Sequence, residues 1–314
     1  MRTVFFGTPE LAVPTLEALV TAGHELLLVV SQPARPVGRG RRLQDPPVAA
    51  WARERELPLA QPETVRGATF RRRIEALEPE VAVVVAFGQI FRRRLLGVPV
   101  HGCVNLHASL LPRYRGAAPI QWAIAAGERV TGVTTMLMEE GLDTGPILLQ
   151  EEVAIGADET TPELAERLAR RGAALMVRTL EGLATGEVAP RPQRHGDATY
   201  APRIEKRDGR VDWRQPAGRI YDRLRAFTPW PGVATELRGE PLKVLAGRPS
   251  AAGGEGHEPG ELLGLEDRRL KVACGGGTIF GLERVQLPGK RPISAPDLWN
   301  GLRIEPGELL GPTG

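Results

Sequence analysis

Seven consecutive apolar residues, Val81-Ala82-Val83-Val84-Val85-Ala86-Phe87, restrict the fold of this chain most. The run is far too short to cross a bilayer as a helix, which takes about 20 residues, and its valines favour an extended backbone. Side chains of an extended run point alternately to two faces, so a strand apolar on both must be covered on both. That is the situation of an inner parallel strand flanked by helices, and it predicts alternating strands and helices around it. Residues 3–6 read as a buried strand, Gly7-Thr8-Pro9-Glu10 as a turn into a helix over 11–21 stopped by Gly23, and 26–30 as a second strand. Helices over 48–56 and 70–77 and a short strand at 59–61 continue the pattern. The expectation is an α/β fold with a Rossmann-like, mostly parallel sheet and flanking helices. No GxGxxG follows the first strand, so a dinucleotide site is not indicated.

In Gly102-Cys103-Val104-Asn105-Leu106-His107 the strand alternation puts Asn105 and His107 on one face and Val104 and Leu106 on the other. Ser109, Leu110, Leu111 and Pro112 then break the strand, and Pro119 to Gly127 has a Pro start, a helical body and a Gly stop. The polar pair thus sits at the carboxyl end of a strand, where open α/β sheets bind ligands. Two further predicted strands, 132–139 and 147–154, flank Gly141-Leu142-Asp143-Thr144-Gly145, an acid between glycines at a second strand end. Taken singly, Asn105 is explained by a cap and His107 by a satisfied structural histidine; the conjunction of amide, imidazole and carboxylate points to a site. A long helix over 159–183 follows, opened by Thr160, Thr161 and Pro162.

Between Ser31 and Gln44 lie Arg35, Arg39, Arg41 and Arg42 with no acidic residue. Gly and Pro neighbours rule out a regular helix, so a projecting loop is expected, either an ordinary solvated charge run or a grip on phosphates. Residues 188–208 are rich in Pro, Arg and Gly without periodicity and read as an interdomain linker. Beyond them come a helix over 220–227, stopped by Thr228-Pro-Trp-Pro-Gly232, and five short strand-like runs at 234–237, 242–245, 260–265, 269–273 and 278–285. Such spacing suggests a small barrel of the OB type, followed by a frayed Pro/Gly tail.

At 314 residues, 42% apolar and 25% charged, the chain has the makings of a soluble globular protein of about two domains. It has no long apolar run and no signal peptide, which predicts a cytoplasmic protein without membrane contact. Cys103 and Cys274 lack metal-ligand spacing, so neither a disulfide framework nor a zinc site is expected. His195 and His257 are expected as surface or core residues. The formal charge is +3, the surplus falling in residues 203–314, which is weak evidence for RNA by itself.

The segment Asn105-Leu-His-Ala-Ser-Leu-Leu-Pro-Arg-Tyr-Arg-Gly-Ala-Ala-Pro119, followed by Gly141-Leu-Asp-Thr-Gly145, resembles the signature of the formyltransferases that use 10-formyltetrahydrofolate. With the basic insertion, Arg225-Ala-Phe-Thr-Pro-Trp-Pro-Gly232 and Val285-Gln-Leu-Pro-Gly289, the likeness extends over the whole chain and is strongest to the branch that acts on methionyl initiator tRNA. It implies a catalytic domain over 1–189 with its basic loop at 31–44, a linker at 190–206, and an OB-like, tRNA-binding domain over 207–314. It further implies formyl transfer from 10-formyltetrahydrofolate, without a metal, to the free amino group of methionyl initiator tRNA for translation initiation, by a monomer. Asn105, His107 and Asp143 would be catalytic. Phe87, Gly88, Gln89 and Ile90, with Ser109, Leu110, Leu111 and Pro112, would border the folate, and Arg35, Arg39, Arg41 and Arg42 would hold the acceptor stem. The chain departs from the family at Phe91-Arg92-Arg93-Arg94, where a Pro is common. Hydrolysis of the formyl donor, formylation of a sugar-nucleotide amine and noncatalytic RNA binding remain alternatives.

Overall fold

The structure is a computed structural model that describes residues 1–37 and 42–311. Two compact units divide the chain: Met1–Pro119, Val130–Ala154 and Glu163–Pro202 form one, and Ile120–Arg129, Ile155–Pro162 and Arg203–Gly314 the other. The last crossing therefore falls within the stretch expected as a linker.

In chain order the first part contains β1 (Arg2–Gly7), α1 (Val13–Thr21), β2 (Glu25–Val30), β3 (Arg35–Val37), β4 (Arg42–Gln44), α2 (Pro47–Glu54), β5 (Leu59–Ala60), α3 (Ala68–Glu75), β6 (Val81–Val85), α4 (Arg93–Leu96) and β7 (Cys103–His107). It continues with α5 (Pro119–Ala125), β8 (Val130–Leu137), β9 (Ile147–Ala154) and α6 (Thr161–Thr185). The first unit is built on a seven-stranded sheet of order β5-β2-β1-β6-β7-β8-β9. Pairings from β5 through β7 are parallel, and β7–β8 and β8–β9 are antiparallel. The sheet is thus mostly parallel and Rossmann-like. All five residues of β6 are buried, and the strand lies between β1 and β7, as its unbroken apolar run requires. It ends two residues earlier than the apolar run does, because Ala86 (φ 46°) and Gly88 (φ 82°) turn the backbone into the left-handed region.

One face of the sheet is covered by a core in which Phe6 meets Phe70, Phe87 and Phe91 edge-on, at centroid distances of 6.3, 5.4 and 4.8 Å. Phe91, at the point of departure from the family pattern, is thereby a core residue, and Arg92 stands at the N-cap position of the short α4 that follows, without a side-chain cap. On α6, Leu164, Leu168, Leu175, Met176 and Leu180 are buried at helical spacing. Gly172 lets this helix approach β7: a Cβ there would lie 2.5 Å from Leu106 Cδ2. The Leu106 side of β7 is therefore closed by α6, which leaves Asn105 and His107 on the other side.

The segment expected as a loop around residues 31–44 is partly regular. Strands β3 and β4 pair antiparallel, Arg35 opposite Gln44 and Val37 opposite Arg42. Proline and glycine exclude a helix, as expected, but not a short ribbon.

The second unit carries α7 (Ala217–Ala226), β10 (Val233–Leu237), β11 (Glu240–Ser250), β12 (Leu262–Glu266), β13 (Arg269–Cys274), β14 (Thr278–Gln286), β15 (Ile293–Ser294) and α8 (Ala295–Leu302). Its antiparallel sheet runs β10-β11-β14-β13-β12, with β15 added to β14. Leu242, Val244, Leu270, Val272, Phe280 and Leu282 fill its core. The buried Trp213 packs edge-on against Phe280 and donates Nε1–H to Thr235 Oγ1 at 3.0 Å. The five expected strands are present; of the tail expected to be frayed, the chain up to Gly311 is held in place, and residues 312–314 lie outside the described residues. Ser294 caps α8 by accepting the Asp297 N–H at 3.2 Å, and Leu310 and Gly311 donate to Gly260 and Glu236 at 2.8 and 2.9 Å. Among the described residues, no helix is long and apolar enough to cross a membrane.

Candidate active site

Register places Asn105 beside Val84 of β6 and Met136 of β8, and His107 opposite Thr134. Asn105 is half-buried, and its amide makes no hydrogen bond to any described residue. His107 is 6% exposed. Its Nε2 lies 2.9 Å from the Tyr114 carbonyl, which can only accept, so Nε2 carries a proton. Nδ1 faces Asp143 Oδ2 at 3.7 Å. The same carboxylate oxygen accepts the Gly116 N–H at 2.8 Å. Asp143 sits at φ 52°, in the left-handed region, and Gly145 follows at a point where a Cβ would lie 1.8 Å from the Leu137 carbonyl oxygen. The glycine is a steric necessity of the loop that presents the acid.

The loop after β7 is folded by its own polar groups. Ser109 Oγ donates to Arg113 O at 2.7 Å, Thr134 Oγ1 donates to Ser109 O at 2.6 Å and accepts Leu111 N–H at 3.2 Å, and Gln150 Nε2 donates to Leu111 O at 2.9 Å. Ser109 and Leu111 are buried, whereas Leu110 and Pro112 are partly exposed. At the end of β6 the Phe87 carbonyl accepts from Thr8 Oγ1 (3.1 Å) and Gln32 Nε2 (2.9 Å), and its ring belongs to the core. Gly88 and Ile90 are exposed, and Gln89 Oε1 accepts the Val65 N–H at 3.0 Å. Thr8 and Gln32 also line a cavity of about 550 Å3 with Arg35, Asp45 and Trp51. Arg35 and Arg42 are exposed on the hairpin; Arg39 and Arg41 lie outside the described residues.

Cys103 shares the Asn105 face, but burial pushes its thiol up to about 12, so it is no nucleophile at neutral pH. What this site offers is an uncommitted amide donor, an imidazole with one nitrogen committed, and a carboxylate facing the other nitrogen. That set suits addition to a carbonyl with an oxyanion intermediate.

Comparison with known proteins decides the family. The formyl transferase family matches residues 1–180, and the formyl transferase C-terminal domain matches 203–303. This chain belongs to the formyl transferase family. It is 52% identical over 304 residues to a methionyl-tRNA formyltransferase of Anaeromyxobacter sp. (strain K), covering 96% of this chain and 97% of that one. It is 44% identical over 314 residues to that of Geobacter sulfurreducens, covering 100% and 98%. Among solved structures, an N-formyltransferase from Helicobacter canadensis, in complex with folinic acid and dTDP-3-aminofucose, superposes with a TM-score of 0.69 at 15% identity, covering 90% of this chain and 98% of that one. At that identity the likeness concerns the fold.

Within this formyl transferase chain, sequence reasoning missed Arg115 and Gln193. Arg115 is 2% exposed, and its guanidinium donates to Gln193 Oε1 through Nε (3.1 Å) and Nη2 (2.6 Å). Gln193 lies in the stretch read as linker, where lack of periodicity hid its burial. An arginine inside the signature segment was the one available signal.

Proposed function

We propose that this formyl transferase moves the formyl group of 10-formyltetrahydrofolate to the free amino group of methionyl initiator tRNA, the step that prepares the initiator for translation. The observation that carries the chemistry is the Asn105 amide, which has no hydrogen-bond partner among the described residues and stands beside His107 at the carboxyl end of β7. The choice of acceptor is supported by the high identity and near-complete coverage of relatives named for it.

The amine nitrogen attacks the formyl carbon, and the formyl oxygen becomes an oxyanion. Asn105 Nδ2–H donates to it, a contribution worth about 3–4 kcal/mol where such a donor is preorganised. The bond from carbon to N10 then breaks, N10 takes up a proton, and the amine has lost one. His107 Nε2–H is held by Tyr114, so the proton that moves is on the Nδ1 side, between the imidazole and Asp143. No metal has a part in this scheme. Phe87 to Ile90 and Ser109 to Pro112 border the folate, the exposed Gly88 and Ile90 leaving backbone free to meet its ring.

Arg35 and Arg42, exposed on the hairpin, and Arg39 and Arg41 between them contact acceptor-stem phosphates in this reading. The second unit adds an OB-like RNA surface. Leu310 bridges Leu237 at one edge of its sheet and Leu309 bridges Glu261 beside the other, which supports a nearly closed barrel. Asn105, His107 and Asp143 all come from one unit of one chain, so a single chain carries the complete set, and in this reading it works as a monomer in the cytoplasm with the charged tRNA.

Labelled formyl donor offered in parallel to water, charged initiator tRNA and a nucleotide-linked amino sugar tests the assignment. Label is expected on methionyl-tRNA alone. Label on the amino sugar, or released formate without transfer, would replace it.

A further inference from the structure

We infer that residues 191–201 are a strap that holds the His107–Asp143 pair in working geometry, with Gln193 as its positioning residue. Its two ends grip the two loops of the site. At one end Arg191 and Ile147 exchange backbone hydrogen bonds, both 2.8 Å, just beyond the Asp143 loop. At the other, the Arg115 N–H donates to Thr199 O (2.8 Å), the Ala201 N–H to Arg115 O (2.7 Å) and the Ala118 N–H to Ala201 O (3.2 Å). Thr199 Oγ1 accepts the Tyr114 N–H at 2.8 Å. Gly116 packs so closely on this segment that a Cβ would lie 2.6 Å from Ala201 O.

Gln193, 6% exposed, joins the loops side chain to backbone. Its Nε2 donates to the carbonyls of Asp143 (2.8 Å) and Gly145 (2.7 Å), while Oε1 takes both Arg115 donors. Both hydrogens of the amide and both lone pairs of its oxygen are thus used. Arg115 has, besides Gln193, His195 Nδ1 at 3.3 Å as a side-chain partner. Either side of Arg115 stands a group the chemistry needs: the Tyr114 carbonyl that fixes the His107 ring, and the Gly116 N–H that holds the Asp143 carboxylate. A carboxamide alone serves both loops, because a carboxylate would keep the guanidinium and repel the two carbonyls.

Gln193→Glu separates these roles. It retains an acceptor for Arg115 but turns oxygen toward the carbonyls of Asp143 and Gly145. Loss of two hydrogen bonds predicts amide exchange faster by on the order of ten-fold or more at Gly116 and Gly145 and a lowered thermal midpoint, with the chain still fully folded at the assay temperature. The kinetic arm rests on the formyl-transfer reading: kcat should fall about 100-fold, as for a misplaced catalytic group, with KM for the folate little changed. Thr199→Val is the milder second variant, removing one acceptor at the far end of the strap. It should speed exchange at Tyr114 and lower kcat several-fold without moving KM. Unchanged exchange at Gly116 in Gln193→Glu, or a kcat loss that unfolding at the assay temperature accounts for, would overturn the inference. Should the unaltered chain transfer no formyl group, the functional reading fails, and exchange at Gly116 decides the strap by itself.

Discussion

The Asn105 side chain makes no hydrogen bond to any described residue and is only half-buried, so its chemical and structural roles separate cleanly. Asn105→Ala should lower kcat by about 10²–10³-fold, the usual cost of one oxyanion donor, with a thermal midpoint close to that of the unaltered chain. A midpoint drop that accounts for the lost rate would make the residue structural. At Arg42 the expectation concerns ions. The side chain is exposed and makes no ion pair with a described carboxylate, so Arg42→Ala should weaken tRNA binding and reduce the slope of log affinity against log salt by about one. Folate binding should stay as it is, and identical slopes would leave the hairpin as plain surface. The two thiols give a third check. Burial pushes Cys103 and Cys274 each up to about 12, so a thiolate-selective reagent at pH 8 should label neither until the chain unfolds. Strand alternation made the shared face of Asn105 and His107 readable in the sequence, since period two is a local property. The His107 partner at Tyr114 was not readable, because the bond goes to a backbone carbonyl that any residue would supply.

Elements were legible in proportion to how far their own side chains dictate them. The β6 run and the α6 stripe specify strand and helix without help. The ribbon β3–β4 was read as loop because its pairing is backbone to backbone between residues whose side chains show no alternation. The strap at 191–201 was read as linker for the same reason: it borrows partners singly from two loops instead of forming a ladder. Helix α8 was missed behind Pro296, yet Ser294-Ala-Pro-Asp297 is start chemistry, with the serine capping and the proline in the first turn. Ser294→Ala should cost about 1 kcal/mol by leaving the Asp297 N–H without its side-chain acceptor. Denaturant unfolding of the variant checks this, and an unchanged midpoint would mean that the cap adds nothing to stability.

On the scale of the whole molecule, the division of the chain is not a single cut. Ile120–Arg129 and Ile155–Pro162 group with the residues beyond 202, and the contacts that hold them there are specific. Trp122 meets Phe227 edge-on with ring centroids 6.0 Å apart. Arg225, 6% exposed, donates to the carbonyls of Gly156 (3.1 Å) and Glu159 (2.9 Å) and pairs with Asp222 at 2.8 Å. Thr161 Oγ1 donates to Ala226 O at 2.6 Å. A protein ended at Pro202 keeps the seven-stranded sheet and the Asn105 site but loses every one of these partners. The Trp122 ring would be left without Phe227, and the Gly156 and Glu159 carbonyls without their charged donor. Such a truncation should therefore unfold at a lower temperature than the full chain and associate in solution, although its sheet is intact. Restoring order by trimming the apolar surface, with Trp122→Gln in the truncated chain, should reduce the association without altering the sheet. Calorimetry and light scattering on the three proteins decide it. A truncated chain that stays monodisperse and melts with the full-length protein would mean that the first unit needs nothing beyond Pro202.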